Sequence, residues 1–264
     1  MSKRMVGLSG LLMGLVVVVL LAFSAPAALA QIDQAQIVYT YVSQFQVPRA
    51  SWAQMTEDGE KVTAPLLKRL MADGTIIGWG NFEPIVHTPD GYTHATWWAT
   101  TSLAGITRVL DEFRKAGPRP GQIASTRHED LLIRSVVRHA ASVSGGSGYL
   151  RVIGTAVQPG KSGEFVALIK KHIAPVAEDQ MKKGTLTYFA IDEQYVVAET
   201  PAMRWVVYVF PNAEAMDKFA AAVGAMFAGM SPADNKAWTD GLASSTVPDS
   251  RRDILARVTQ YASK

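Results

Sequence analysis

The feature that most limits what this chain can fold into is a repeated helix exit. Ala64-Pro65, Met71 and Gly74-Thr75 recur as Ala174-Pro175, Met181 and Gly184-Thr185, at a constant offset of 110 residues. Without a gap, the same offset pairs Tyr39 with Tyr149, Val42 with Val152, Val47 with Val157, Lys61 with Lys171, Glu83 with Glu193 and Val86 with Val196. Self-similarity held at a fixed period is the mark of a duplicated supersecondary unit, so two copies sharing one fold are expected. Gly74 and Gly184 stand where a left-handed residue ends a helix. Pro65 and Pro175 fall inside the helical pattern. Proline removes a backbone donor and crowds the preceding turn, so each helix is expected either to bend there or to divide in two.

Apolar periodicity and turn residues supply the elements of each copy. In the first, residues 37–45 read as a strand, 52–72 as a helix capped by Ser51, 75–82 as a strand and 88–91 as a turn. A strand over 92–101 follows, then a helix over 103–115 capped by Ser102, a Pro/Gly loop over 117–122 and a strand over 130–140. The second copy repeats the order: strand 149–157, turn 158–161, helix 162–183, strands 185–192 and 203–210, and helix 213–227 capped by Asn212. A long loop over 229–248 and a strand over 252–261 complete it. The small and polar run 142–148 reads as a flexible linker between domains 31–141 and 149–264. Each copy is β-α-β-β-α-β, the ferredoxin-like order. The expected fold is therefore α+β, two tandem units stacking their open sheet faces over a shared core.

Residues 1–30 have the plan of a secretory leader. Lys3 and Arg4 precede an almost wholly apolar run from Val6 to Phe23, and Ala28-Leu29-Ala30 offers a cleavage site. The run is also close to the length of a spanning helix, so an uncleaved anchor is the alternative. Export to the periplasm or the extracellular space, with no membrane association after cleavage, is the expectation. Removal of Lys3 and Arg4 leaves 24 basic residues of the 26 against 23 acidic ones. That near balance gives no reason to expect nucleic-acid binding, which needs a clustered basic surface. With Cys 0 in the sequence, thiol catalysis, Cys-ligated zinc and iron–sulfur clusters are excluded.

Pro159-Gly160-Lys161, His172, Pro175 and Gly184 in the second copy resemble the turn and helix of the NIPSNAP-like branch of the dimeric α+β barrel superfamily. The first copy keeps Pro65 and Gly74 but has Arg49-Ala50-Ser51 at the turn and Val62 at the His position. The resemblance implies a barrel of β-sheet with helices outside, formed here within one chain. That superfamily includes cofactor-free monooxygenases, haem-handling enzymes, small-molecule lyases and proteins with no known reaction, so fold alone does not transfer a function.

The candidate chemistry lies where the copies differ. If strand alternation holds over 92–101, Tyr92, His94, Thr96 and Trp98 share one face and Trp97 points to the other. His94 and Trp98, with Tyr39 and Tyr41 of the first strand, are then placed to line a cavity between sheet and helices. His94 is the candidate base, since imidazole exchanges protons near neutral pH; a buried structural His is the competing reading. At the offset of 110, Arg204 stands at the place of His94 and Arg151 at that of Tyr41. Either can clamp a carboxylate, or simply pair with Glu193 or Glu199. His172 reads as a packing residue. His128-Glu129-Asp130 is a poor metal site because adjacent residues rarely converge on one ion, and no metal is expected. There is no Gly-rich phosphate loop and no Gly-x-Ser-x-Gly elbow, and no cofactor is expected, although a His-ligated haem stays open. The first reading is thus an exported binder of a small apolar or aromatic molecule. A cofactor-independent monooxygenase with a His base and a non-catalytic envelope interaction protein are the alternatives. A homo-oligomer is compatible with all three.

Overall fold

The computed structural model describes residues 37–197 and 201–264; the expected leader and cleavage site lie outside them. Eight antiparallel strands close into a barrel in the order β1-β3-β2-β8-β5-β7-β6-β4. The strands are β1 (Val38–Gln46), β2 (Gly78–Pro84), β3 (His94–Thr100), β4 (Arg127–Ala140), β5 (Val143–Ala156), β6 (Tyr188–Gln194), β7 (Met203–Phe210) and β8 (Arg252–Ser263). The first half of the chain supplies the neighbours β4-β1-β3-β2, and the second supplies β8-β5-β7-β6. The seams are β2 with β8 and β4 with β6.

Helices cover the outside of the wall. The first covering segment is α1 (Trp52–Asp58), a π-helical stretch Gly59–Thr63, and α2 (Ala64–Ala72). Next come α3 (Leu103–Ala116), the short α4 (Pro120–Ile123), α5 (Ser162–Lys182), α6 (Ala213–Ala228) and α7 (Pro232–Ser245). Among the described residues no helix is long and apolar enough to cross a membrane. Because side chains alternate across a strand, each strand builds two cores. Outward residues meet the helices: Trp79 and Trp98 pack with Leu66, Leu67 and Leu70 in one half, and Phe189, Tyr208 and Phe210 with Ile169, Ile173 and Phe219 in the other. Inward residues such as Phe82, Leu150, Val209 and Val258 fill part of the barrel.

Several sequence expectations change. Residues 143–148, read as a linker, are the first part of β5, which pairs along its length with β8. Gly148 is required there by contact: a Cβ would stand 2.1 Å from the Phe210 carbonyl oxygen. The expected loop 229–248 is mostly α7, which starts at Ser231, whose hydroxyl accepts from Asp234 N at 3.1 Å, with Pro232 in its first turn. The loop 117–122 contains the beginning of α4, whose Gly121 N–H donates to Asp58 Oδ2 at 2.6 Å. Finally, the two prolines act differently. Pro65 sits in the first turn of α2 behind the π-helical stretch, whereas Pro175 lies inside the unbroken α5. Ser102 and Asn212 cap α3 and α6 as expected, accepting from Gly105 N and Ala215 N; Ser51 makes no side-chain cap.

Candidate functional site

The outward faces of β1, β3 and β4 form the floor of a cavity of about 320 Å³ roofed by α3 and α4. Tyr41 and Trp98 are cross-strand partners and stack with centroids 4.7 Å apart. Phe45 and His128 are partners on the other pairing and stack at 4.5 Å. Phe113 of α3 closes on Trp98 at 5.4 Å. Aromatic rings thus make most of the floor and one wall, while Ile123 stands at the rim, 68% exposed.

The polar groups of the cavity converge from three elements. Ser43 Oγ lies 2.8 Å from His128 Nε2, and the same nitrogen is 3.0 Å from Asp130 Oδ1. Burial, together with a hydrogen bond to Asp130, pushes the Tyr41 phenol well above its ordinary range. Arg119, just before α4, donates to Thr63 Oγ1 at 2.8 Å and lies over the Phe113 ring at 4.6 Å. Burial lowers its guanidinium to about 10, against the nearby Asp58, so at neutral pH it keeps its charge. The cavity thus carries a guanidinium, from Arg119, and an imidazole against a carboxylate, from His128 and Asp130.

Trp98 and Tyr41 therefore stand where the sequence placed them, on a cavity between sheet and helices, and Trp97 faces the barrel interior as alternation requires. His94 shares their outward face but does not line their cavity. It borders a smaller space of about 70 Å³ under α1 and the π-helical stretch; Thr96 and Gln122 line both spaces. The His94 ring meets Trp52 edge-on at 5.6 Å, its Nδ1 is 2.9 Å from Thr93 Oγ1, and its Nε2 is 3.9 Å from Glu83 Oε1. Desolvation, with a smaller push from His87, lowers its pKa to about 4. Tyr39 is half-buried against Tyr195, edge-on at 5.1 Å, and is not part of the cavity lining.

The two arginines stay in the other half. Arg204 pairs with Glu193 Oε2 at 3.1 Å and donates to Ser162 Oγ at 2.8 and 2.6 Å. Burial lowers its pKa from the usual guanidinium range. It repeats, 110 residues on, the pairing of His94 with Glu83. Arg151 is exposed and shares Asp253 with Arg251 at 3.3 and 2.8 Å. His172 packs edge-on against Trp238 of α7 at 5.4 Å, between helices. Among the described residues no group of three or more acidic or imidazole side chains is gathered as for a metal ion.

Ser43, Phe113 and Arg119 were not legible as site residues, and in the sequence His128 and Asp130 read only as metal ligands. The signal available was the i, i+2 spacing of His128 and Asp130. Once β4 begins at Arg127 rather than 130, that spacing puts both on one face with Glu129 on the other.

No protein-family model matches the sequence, and no curated protein matches it. Solved structures do. A candidate monooxygenase from Fusobacterium nucleatum superposes with a TM-score of 0.62 over 87% of this chain and 96% of that one, at 11% identity. A candidate monooxygenase from Lactobacillus acidophilus gives 0.58 over 86% and 96%, at 12% identity. An anthrone oxidase-like protein gives 0.54 over 87% and 94%, at 8% identity. At such identities the likeness is one of fold: this is an α+β protein with the dimeric α+β barrel architecture, the eight-stranded barrel here closed by a single chain.

Proposed function

We propose that this chain is an exported pair of tandem ferredoxin-like units whose first unit binds a small planar aromatic molecule in the cavity of Tyr41, Trp98 and Phe113. The observation that carries the reading is that cavity. Its volume is at the lower end for small-molecule sites, its walls are aromatic, and its few polar groups converge. The Arg119 guanidinium favours a ligand that presents an oxygen, a phenolate or a carbonyl, to the α4 end. The tandem reading is supported by the equivalent strand order of the two halves and by Trp98 and Tyr208, which pack outward at the offset of 110. The NIPSNAP-like label rests on Pro159-Gly160-Lys161, His172, Pro175 and Gly184, and is supported by the positive φ of Gly160 and Gly184 at the two turns. Export rests on the leader pattern of residues 1–30.

A second reading, cofactor-independent oxygenation, is favoured by one detail. His128 lies in the cavity against Asp130, an arrangement that orients an imidazole to take a proton from an acidic phenol or enol. The named neighbours include candidate monooxygenases. In this reading His128, not His94, is the proton acceptor, because His94 is walled off in the smaller space and burial makes it a weak base.

Binding is tested by titrating purified protein with 1-naphthol, following tryptophan emission. Saturable quenching is expected, and Ile123→Trp, which plugs the rim from an exposed position, should weaken it at least tenfold. Wild-type protein that shows no saturable response, or a plugged variant that binds equally well, sinks the proposal. Oxygen uptake with a hydroxylated anthracenone, lost in His128→Ala while binding persists, separates the enzyme from the plain binder.

A further inference from the structure

An eight-stranded barrel is just wide enough either to be filled by its own side chains or to hold one small ligand. Here the filling is incomplete. Val42, Trp97, Leu131, Val152, Trp205, Val207 and Ile254 point inward, yet all are only partly buried. They surround a space of about 120 Å³ inside the wall, of the same order as the ~150 Å³ apolar cavity known to accept benzene. The rings that line it are held by close backbone contact. Trp97 lies over β2, where a Cβ on Gly80 would stand 2.7 Å from its Nε1, and Trp205 lies over Gly154 of β5 at 3.2 Å by the same measure. Trp97 reaches across to Tyr188 of β6, centroids 6.4 Å apart.

One acid faces this apolar space. Asp192 of β6 is 3% exposed and lines it with Thr40 and Gln44. Its Oδ1 and the neighbouring Ser135 Oγ are both buried without a hydrogen bond of good geometry among the described residues, although Ser135 is close enough to stabilise the carboxylate. Nearby Arg138 is likewise incomplete, its buried Nε lacking a partner. Leaving a buried carboxylate oxygen unpaired is costly, and such groups in folded proteins normally find a protein partner, an ordered water or a ligand. Burial pushes this carboxyl up to about 6, offset in part by Ser135 and Arg138. The outer cavity of Tyr41 and Trp98 lies on the opposite face of the sheet and shares none of these residues.

We propose that the barrel interior is a second, separate ligand compartment, taking a one-ring aromatic molecule whose single hydrogen-bond donor is received by the Asp192 carboxylate between Trp97 and Trp205. The class follows from the space and its walls. There is room for about one ring, the lining is mostly apolar and aromatic, and its few polar side chains, Thr40, Gln44 and Asp192, include one carboxylate to receive a donor. The compartment is independent of the outer cavity and stands whether or not that cavity binds naphthol.

The test uses phenol and toluene, which share a shape and differ in the donor. Indole N–H resonances of purified protein, assigned with Trp97→Phe and Trp205→Phe, report the compartment directly. Phenol should shift both resonances saturably, at least tenfold more tightly than toluene. Val207→Phe, which fills the space, should abolish both responses. Asp192→Leu should erase the preference for phenol while toluene still binds, and Ile123→Trp, at the outer rim, should leave the phenol response intact. Indole shifts that are absent or survive in Val207→Phe overturn the compartment, as they would if it held ordered water alone. Equal binding of phenol and toluene overturns the role of Asp192.

Discussion

Two buried ionisable groups, one on each face of the wall, give this protein a pH signature that can be taken apart. The His94 pKa falls from 6.5 to about 4 on folding, chiefly by desolvation. Between those values the unfolded chain carries a proton that the native state refuses, so stability is lost as pH falls through the window. Asp192 does the reverse. Its pKa rises from 3.8 to about 6, so the native state holds a proton that the unfolded chain has released, and stability is gained as pH falls from 6 toward 4. Each shift exceeds two pH units, and at about 1.4 kcal/mol per unit each corresponds to roughly 3 kcal/mol. Between pH 6 and 4 the two contributions nearly cancel. Replacing one group at a time exposes the other. Relative to wild type, His94→Gln should become more stable by about 3 kcal/mol as pH drops from 6.5 to 4, and Asp192→Asn less stable by a similar amount from 6 to 4. Urea unfolding followed by tryptophan fluorescence between pH 4 and 7.5 measures both, and the difference from wild type removes the carboxylates common to all three proteins. Since the side chains lie on opposite faces of the sheet, the double variant should show the sum. Difference curves that stay flat, or that slope in the same direction, would refute the assigned burial of the group concerned.

Three further substitutions probe the architecture. Gly148→Ala drives a Cβ into the Phe210 carbonyl at the β5–β7 pairing; overpacking against backbone should cost about 3 kcal/mol or more, read as a lower midpoint in urea. Ser231→Ala removes the cap of α7 and should cost about 1 kcal/mol, with helical circular dichroism lost ahead of the main transition if α7 frays alone. Glu193 receives Arg134 across the β4–β6 seam, through Nε at 2.9 Å, and Arg204 of the neighbouring β7 at 3.1 Å. Glu193→Ala leaves two half-buried guanidinium groups unpaired, so a loss of roughly 2–4 kcal/mol is expected, while Glu193→Gln should keep part of it; an unchanged midpoint in the alanine variant would show that the pair contributes nothing.

What the sequence determined by itself was the order of the strands and of the main helices that separate them. The Gly74 and Gly184 exits, the caps Ser102 and Asn212 and the period-two strands are local signals, carried by residues a few positions apart, and the 110-residue offset shows the same signals twice. Alternation also told Trp98 from Trp97, placing one under the helices and the other within the barrel. Where local composition and tertiary pairing conflicted, pairing prevailed. The glycines of 143–148 read as a linker, but closing the barrel against β8 and β7 demands a strand there, and Gly148 is the residue that permits the approach. The Ser231-Pro232 start of α7 was a local signal that went unread. The candidate site was only half legible because a cavity is a property of several elements at once. Tyr41 and Trp98 lie on adjacent strands and announce themselves by alternation. Arg119, Phe113 and His128 come together only when α4 is pinned to α1 through Asp58 and β4 extends back to Arg127. His94, the most conspicuous residue of the sequence, was separated from that cavity by the π-helical stretch and α1 packing over it, contacts that no pattern of spacing along the chain encodes.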